Sequence, residues 1–395
     1  MKKSISLKTI NLILISILLF HSTLIRFYYV NYNYNLISGV MLTIVFIYLI
    51  PKVKIIFNNN TYMNMAIFCM SLCILFSSVI NQMKFAGSLI TIMRINIIFW
   101  FYQYAIYKGK EKIICLLYAL FAFFYLVITY GYIVIYPDKA WLSGLQFFIG
   151  SKFYVSYIAL LTIICWLISM QEYIKNNILL KAITICLICF CYFIIVTVKC
   201  GTGKIGILLL LLFIALKNVL KSKLNKWNVF CVTLLIASFV FIVFSGLTSI
   251  GFISDFITNV LNKDVTMSGR TIVYAKVLSY IVKSPVWGYG YNSVYELFKN
   301  TMYLGSNAFA LDAQNALLEY VLYYGLLGVS AFMLMLYFSF NKPEYKGEIL
   351  DNDYFCYVGL YIMVLLGSVE ITYNMIFFTF LAFVYSRKAV NERKL

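Results

Sequence analysis

Acidic residues are scarce in this 395-residue chain: 14 Asp and Glu stand against 32 Lys and Arg, a net charge of +18. Charge of either sign is also scarce, at 12% of residues, where a soluble domain carries about 25%. That composition excludes an ordinary soluble enzyme. It equally excludes a disordered basic nucleic-acid binder, which is poor in apolar residues. Proline occurs four times and glycine 20 times, so linkers are few. The only histidine is His21, far in sequence from most of the ten cysteines. Cys186 and Cys189 form a C-x-x-C, but inside the apolar run AITICLICFCYFIIV. Small, buried packing residues are the simpler reading of these thiols, so no metal and no cofactor is expected.

What is abundant is apolar surface: 63% of residues are hydrophobic, with 34 Tyr and 34 Phe. Aromatics in such numbers suit membrane interfaces and packed helices. A spanning helix needs about 20 mostly apolar residues. Twelve runs qualify, near 7–25, 34–50, 62–80, 88–107, 113–136, 153–170, 178–198, 204–220, 228–247, 315–340, 354–370 and 373–386. The first lacks a small-residue cleavage site and reads as a span, not a signal peptide. The expected fold is all-α and polytopic, with one large external loop containing amphipathic helices. Residues 1–247 hold about nine spans, 248–314 the loop, and 315–395 about three spans. No repeat relates the two halves, which argues against a transporter built from symmetric repeats.

The cations orient these spans, because cytoplasmic loops hold the Lys/Arg excess. With both termini inside, twenty of the 32 cations fall on short inside loops. Six of the remainder lie between residues 199 and 283, around the long loop. The basic charge therefore needs no nucleic-acid partner. It divides into an orientation signal beside an anionic leaflet and a smaller external set.

Within the long loop, Ile272, Val273, Ala275, Val277, Leu278 and Ile281 recur at helical spacing, with Ser268 as a candidate N-cap. This predicts an amphipathic helix from Arg270 to Val282, ended by Pro285 and followed by a tight turn at Gly288 and Gly290. The segment DAQNALLEYVLYYGLLGV then enters a span, with Gly325 and Gly328 forming a small-residue face. The G-Y-G turn lacks the strand and the further glycines of a nucleotide-binding loop, and reads as backbone shape.

The order of these pieces resembles the superfamily of O-antigen ligases and Wzy-type polysaccharide polymerases. The resemblance rests on S-G-R, an amphipathic helix, S-P-V-W-G-Y-G, then Q-N-A-L-L-E ahead of G-L-L-G, preceded by K-C-G-T-G-K-I-G-I-L-L-L. It covers about residues 196–340. One departure is Gln314, where the family often has His before Asn. The resemblance implies a membrane enzyme that moves a glycan from a polyprenyl diphosphate carrier, without nucleotide sugar or metal. A polymerase adds it to another undecaprenyl-diphosphate-linked repeat unit; a ligase passes it to a different acceptor, such as lipid A-core. Polymerase is the expectation here, because the Lys-, Ile- and Asn-rich composition resembles that of low-GC bacteria, where lipid A-core is absent. The expected setting is the bacterial cytoplasmic membrane, with the active site facing outside. Other polysaccharide-assembly proteins, a chain-length regulator or a flippase, are the expected partners. A flippase for the same lipid-linked oligosaccharide is the competing transporter reading.

The chemistry asks for cations first. A diphosphate leaving a sugar C1 is stabilised by fixed positive charge where water is excluded. The Arg fork matches phosphate oxygens, so Arg270 and Lys204 are the leading diphosphate ligands, with Lys199 and Lys276 behind them. Arg94, in the middle of LITIMRINIIFWF, either contacts the diphosphate or pairs with an acid such as Glu370. A base assists the acceptor hydroxyl. Gln314 cannot supply one, though its amide can orient a sugar hydroxyl. Asp312 or Glu319 can, and the sequence does not choose between them. Plainer roles stand beside these: Arg270 snorkelling to headgroups, Gln314 and Asn315 capping the entering helix, and Glu319 held by a buried hydrogen bond to Tyr.

Overall fold

The computed structural model describes residues 7–25, 31–58, 61–83, 85–138, 146–246, 270–298, 312–341 and 351–391. The N-terminal part contributes α1 (Leu7–Leu24), α2 (Asn31–Leu49), a short α3 (Val53–Asn58), α4 (Thr61–Ile80), α5 (Phe85–Tyr107) and α6 (Glu111–Ile135). A two-stranded antiparallel ribbon, β1 (Gln146–Phe147) with β2 (Gly150–Ser151), leads into α7 (Lys152–Ile174). Then follow α8 (Ile178–Thr197), α9 (Gly201–Ala215), the single turn α10 (Lys217–Leu220) and α11 (Trp227–Gly246). The loop region supplies α12 (Arg270–Lys283) and α13 (Ser293–Phe298). The chain closes with α14 (Ala316–Phe340), α15 (Asp351–Leu366) and α16 (Met375–Asn391).

Among the described residues seven helices are long and apolar enough to cross a membrane, and five shorter apolar helices join them. Together they coincide with the twelve expected runs, and the protein is an all-α polytopic membrane protein. The helices are apolar on every side, as helices between protein and lipid must be. Phe68, Ile185, Leu208 and Ile236 are exposed apolar side chains on the outer surface. At the centre stands α7, buried around most of its circumference and packed against α6, α8, α9 and α15.

Polar side chains start several of these helices by accepting from orphan N–H groups. Ser151 accepts from Tyr154 N–H, Asn177 from Leu179 and Leu180, and the Cys200 thiol from Gly203. These caps set where α7, α8 and α9 begin.

Three expected spans differ from the observed helices. The run at 204–220 is divided, because α9 ends at Ala215 and α10 is a separate turn. The run at 354–370 stops at Leu366. There the Gly367 N–H turns back to Met363 and Val364, leaving residues 368–374 as a non-helical connection that includes Glu370. The span at 315–340 is interrupted at Gly325, which has φ 63° and ψ −167°. Gly325 thus breaks the helix as well as permitting close packing.

The amphipathic helix of the loop forms as α12, beginning at Arg270. Its candidate cap Ser268, and the rest of 247–269 and 299–311, lie outside the described residues. Val273, Tyr274 and Val277 of α12 pack with Val294 and Phe298 of α13 and with Leu318 and Leu322 of α14 in a small second core. Ile272 and Leu278 are exposed on the other side. Apolar residues on two faces suit a helix wedged between the bundle and a lipid interface.

Candidate active site

The sequence DAQN at 312–315 folds into a tight turn at the head of α14. The Gln314 N–H donates to Asp312 Oδ1 at 3.0 Å, and Gln314 takes the left-handed φ of 49° that this turn requires. The Tyr274 hydroxyl donates to the Gln314 carbonyl at 3.2 Å, tying the turn to α12. Asn315 caps α14: its Oδ1 accepts from Leu318 N–H at 3.1 Å, and its Nδ2 donates to the Ser238 carbonyl at 2.8 Å. The Ala316 N–H donates to the Gly367 carbonyl at 2.9 Å, joining the turn to the α15–α16 connection.

Glu319 secures this turn from below. Its Oε2 accepts from Ala313 N–H at 2.8 Å and its Oε1 from the Tyr323 hydroxyl at 2.5 Å. The buried Tyr hydrogen bond that would satisfy an acid here is therefore present, and both carboxyl oxygens are engaged.

Arg270 reaches the same place from the first turn of α12. Its Nη2 donates to the Val369 carbonyl at 3.3 Å, and its buried Nε makes no hydrogen bond among the described residues. Asp312 and Glu370 are the acids whose ionisation its charge favours. Burial nonetheless pushes Asp312 above the usual carboxylate range, against the pull of the Gln314 N–H and Arg270. Burial, reinforced by the charge of Asp312, pushes Glu370 up to about 8, while the Ile371 N–H, Arg270 and Lys152 oppose the rise. Tyr157, buried in α7, faces Glu370, Cys200 and Asp312, and its hydroxyl has no hydrogen-bond partner among the described residues. The arrangement offers two cations, buried acids and unspent donors at one end of the bundle. Such a set can bind anionic oxygens and move a proton.

The loop after α12 is locked to the break in α14. Gly288 and Gly290 have φ of 66° and 87°. A Cβ on Gly288 would lie 2.6 Å from Gly325 N, and one on Gly325 would lie 2.2 Å from the Val286 carbonyl oxygen. Into this gap the Tyr289 and Gly290 N–H groups donate to Leu322 and Tyr323 carbonyls, and the Leu326 N–H donates to Pro285. The Ser77 hydroxyl of α4 reaches the carbonyls of Trp287 and Tyr323, at 2.5 and 2.7 Å. Asn81 Nδ2 donates to the Gly288 carbonyl at 3.1 Å. The broken helix thus finds its missing partners in the loop, as membrane-depth backbone must. Pro285, Gly288 and Gly290 shape the scaffold under the acid cluster.

The other sequence-derived cations are scattered. Lys204 stands half-buried in the first turn of α9, which is pressed so closely on α7 that a Cβ on Gly203 would lie 2.3 Å from Ser156 Oγ. Lys199 is exposed. Lys276 lies over the Tyr280 ring at 5.5 Å. Arg94 donates from Nη2 to Ser38 Oγ at 3.0 Å, so it turns toward α2, whereas Asp312, Glu319, Arg270 and Lys152 are neighbours of Glu370.

Three residues at the cluster carry no candidate role in the sequence motifs: Lys152, Tyr157 and the Glu370 carboxyl as a neighbour of Arg270. Lys152 is the only cation at the start of its helix, and Glu370 is an acid at the end of an apolar run; those are the signals they offer. All ten cysteines are unpaired with one another, and no group of three His, Cys, Asp or Glu suited to a metal occurs among the described residues.

No curated protein and no solved structure matches the chain significantly. Residues 185–333 match a family model described as O-antigen ligase, nearly the stretch over which the motifs carry that resemblance. The segment runs from within α8 into α14 and includes Arg270, Asp312, Gln314, Glu319 and the glycine turn. Over residues 185–333 the chain is therefore similar to the O-antigen ligase family, and that similarity implies a membrane enzyme of the glycan-transfer type.

Proposed function

We propose that this protein polymerises undecaprenyl-diphosphate-linked oligosaccharide repeat units into a capsular or O-antigen-type polysaccharide. The reaction takes place at the outer face of the bacterial cytoplasmic membrane, with both termini inside. The observation that carries this reading is the placement of Arg270. Its guanidinium is fixed beside buried acids, at the end of the bundle where α7, α9 and α14 begin. By the division of charge between loops, that is the outer end.

Arg270 holds the departing diphosphate and the acid cluster serves the acceptor hydroxyl. A partly buried cation acts on phosphate oxygens more strongly than one in water. Polymerisation is favoured over ligation by the low-GC type of composition. Deleting the gene and examining the lipid-linked glycan tests the reading. Accumulated single repeat units support polymerisation. Accumulated full-length lipid-linked polymer marks a ligase instead, and units trapped on the cytoplasmic leaflet mark a flippase.

A further inference from the structure

The segment 185–333 holds Arg270 and Asp312, yet three groups of the cluster come from outside it: Tyr157 and Glu370 face Asp312, Glu370 faces Arg270, and Lys152 faces Glu370. Lys152 and Tyr157 belong to α7, and Glu370 to the connection between α15 and α16. Each acid at the cluster has a distinct situation. Glu319 has both oxygens bonded, by Ala313 N–H and the Tyr323 hydroxyl. Asp312 builds the turn that holds Gln314 in its left-handed conformation. Glu370 has neither task, its carboxyl accepting from the N–H of its own neighbour Ile371. It follows Val369, whose carbonyl receives Arg270, so the acid and the guanidinium are fixed to neighbouring residues. Around it stand Asp312 from the DAQN turn, Arg270 from α12, Lys152 and Tyr157 from α7, Glu319 from α14 and Cys200 at the head of α9.

We propose that Glu370 is the general base of the transfer, taking the role that Gln314 cannot fill, and that Lys152 is the second cation beside it. This rests on the polymerase reading. In the step, the Glu370 carboxylate takes the proton of the acceptor sugar hydroxyl. The hydroxyl oxygen forms the new bond to C1 of the donor sugar. The bond from C1 to the diphosphate oxygen breaks, and its electron pair leaves with undecaprenyl diphosphate. The released charge lies against Arg270 and Lys152, and Glu370 later returns its proton to water. The Tyr157 hydroxyl, which has no hydrogen-bond partner among the described residues, donates to the acceptor sugar.

The test uses full-length protein in nanodiscs and the lipid-linked units extracted from a strain lacking the gene. Wild type should lengthen these units with a rate that rises from pH 6 to 9. E370Q should lose roughly 10²- to 10⁴-fold in turnover, the usual weight of a general base, and lose the rising limb. Its KM for the lipid-linked units should stay near wild type, which a collapsed fold would not allow. E370D should recover part of the turnover. Near-normal turnover in E370Q overturns the proposal, and so does loss of the rising limb in D312N with its retention in E370Q. Wild-type protein that leaves the units unextended sinks the polymerase reading itself, and this inference with it.

Discussion

Arg270 and Glu370 meet through a single peptide: the guanidinium donates to the Val369 carbonyl at 3.3 Å, one residue before the acid. α12 and the α15–α16 connection are about a hundred residues apart, so this contact closes the site across the bundle. A cation so fixed needs no reorganisation as charge develops on a leaving diphosphate. Arg270→Ala should cut glycan extension by about 10²- to 10³-fold, the usual loss of one fixed donor to developing charge. Membrane insertion should stay normal. Arg270→Lys should also be poor, because a point charge does not replace a fork. Glycan ladders beside membrane protein levels check both; unchanged ladders in Arg270→Ala would dismiss the diphosphate role.

Gly288 and Gly325 interlock at positive φ, and both lack room for a methyl group. Left-handed backbone alone costs a non-glycine residue about 1–2 kcal/mol. Gly325→Ala adds a clash with the Val286 carbonyl and should lower the Tm of the detergent-solubilised protein markedly, with loss of activity. Gly39→Ala, where a Cβ meets nothing within 4 Å, should leave Tm unchanged. Equal Tm values for the two variants would contradict the interlock.

Twelve apolar runs, an amphipathic helix at 270 and a glycine turn after it are all legible in the sequence, because helical period and span length are local properties. The break at Gly325 is not. It exists only because Val286 and Gly288 occupy the space beside it and supply hydrogen bonds in place of the helix's own. The site divides the same way. Arg270, Asp312 and Gln314 lie in a short motif-bearing stretch, whereas Lys152 and Glu370 reach it through packing across the bundle. Charge counting places Lys152 on an outside loop but says nothing of its neighbours. Glu319 carries the converse lesson: the sequence offers both a base and an acid held by a buried Tyr, and the placement of Ala313 and Tyr323 shows a carboxyl occupied with holding a turn.

Removing that hold should weaken the turn more than the chemistry. Tyr323→Phe leaves a buried Glu319 oxygen without its donor, which typically costs about 1–3 kcal/mol. The expected result is a lower Tm with extension activity reduced but present at low temperature. Full stability in Tyr323→Phe would show that the hydrogen bond contributes little.

Stability should also depend on pH through Glu370. Unfolded, the group titrates near 4.5; folded, burial and Asp312 raise it to about 8. Between those values the folded chain retains a proton that the unfolded chain has lost, so stability falls as pH rises through the window. Asp312 acts in the same direction, since its folded value is also raised. Tm in detergent should therefore decline from pH 5 to pH 8, and Glu370→Gln should flatten the decline. A Tm that rises over this range would reverse the sign of the argument.

The side of the membrane can be tested without any assay of activity. Lys152, the start of α9 and the DAQN turn lie at one end of the bundle, whereas the Lys112–Glu172 ion pair joins the opposite ends of α6 and α7. The proposed topology, with the twenty cations on short loops beside anionic lipid, puts that second end in the cytoplasm. A cysteine introduced at position 300, in a background without the exposed Cys69, Cys186 and Cys189, should react in intact cells with a membrane-impermeant maleimide. One introduced at position 110 should react only after lysis. The reverse pattern would turn the protein over, put the acid cluster in the cytoplasm and remove the external donor from reach. The charge-based topology puts the two labelling positions on opposite sides of the membrane, so a single experiment decides the orientation on which a lipid-linked substrate depends.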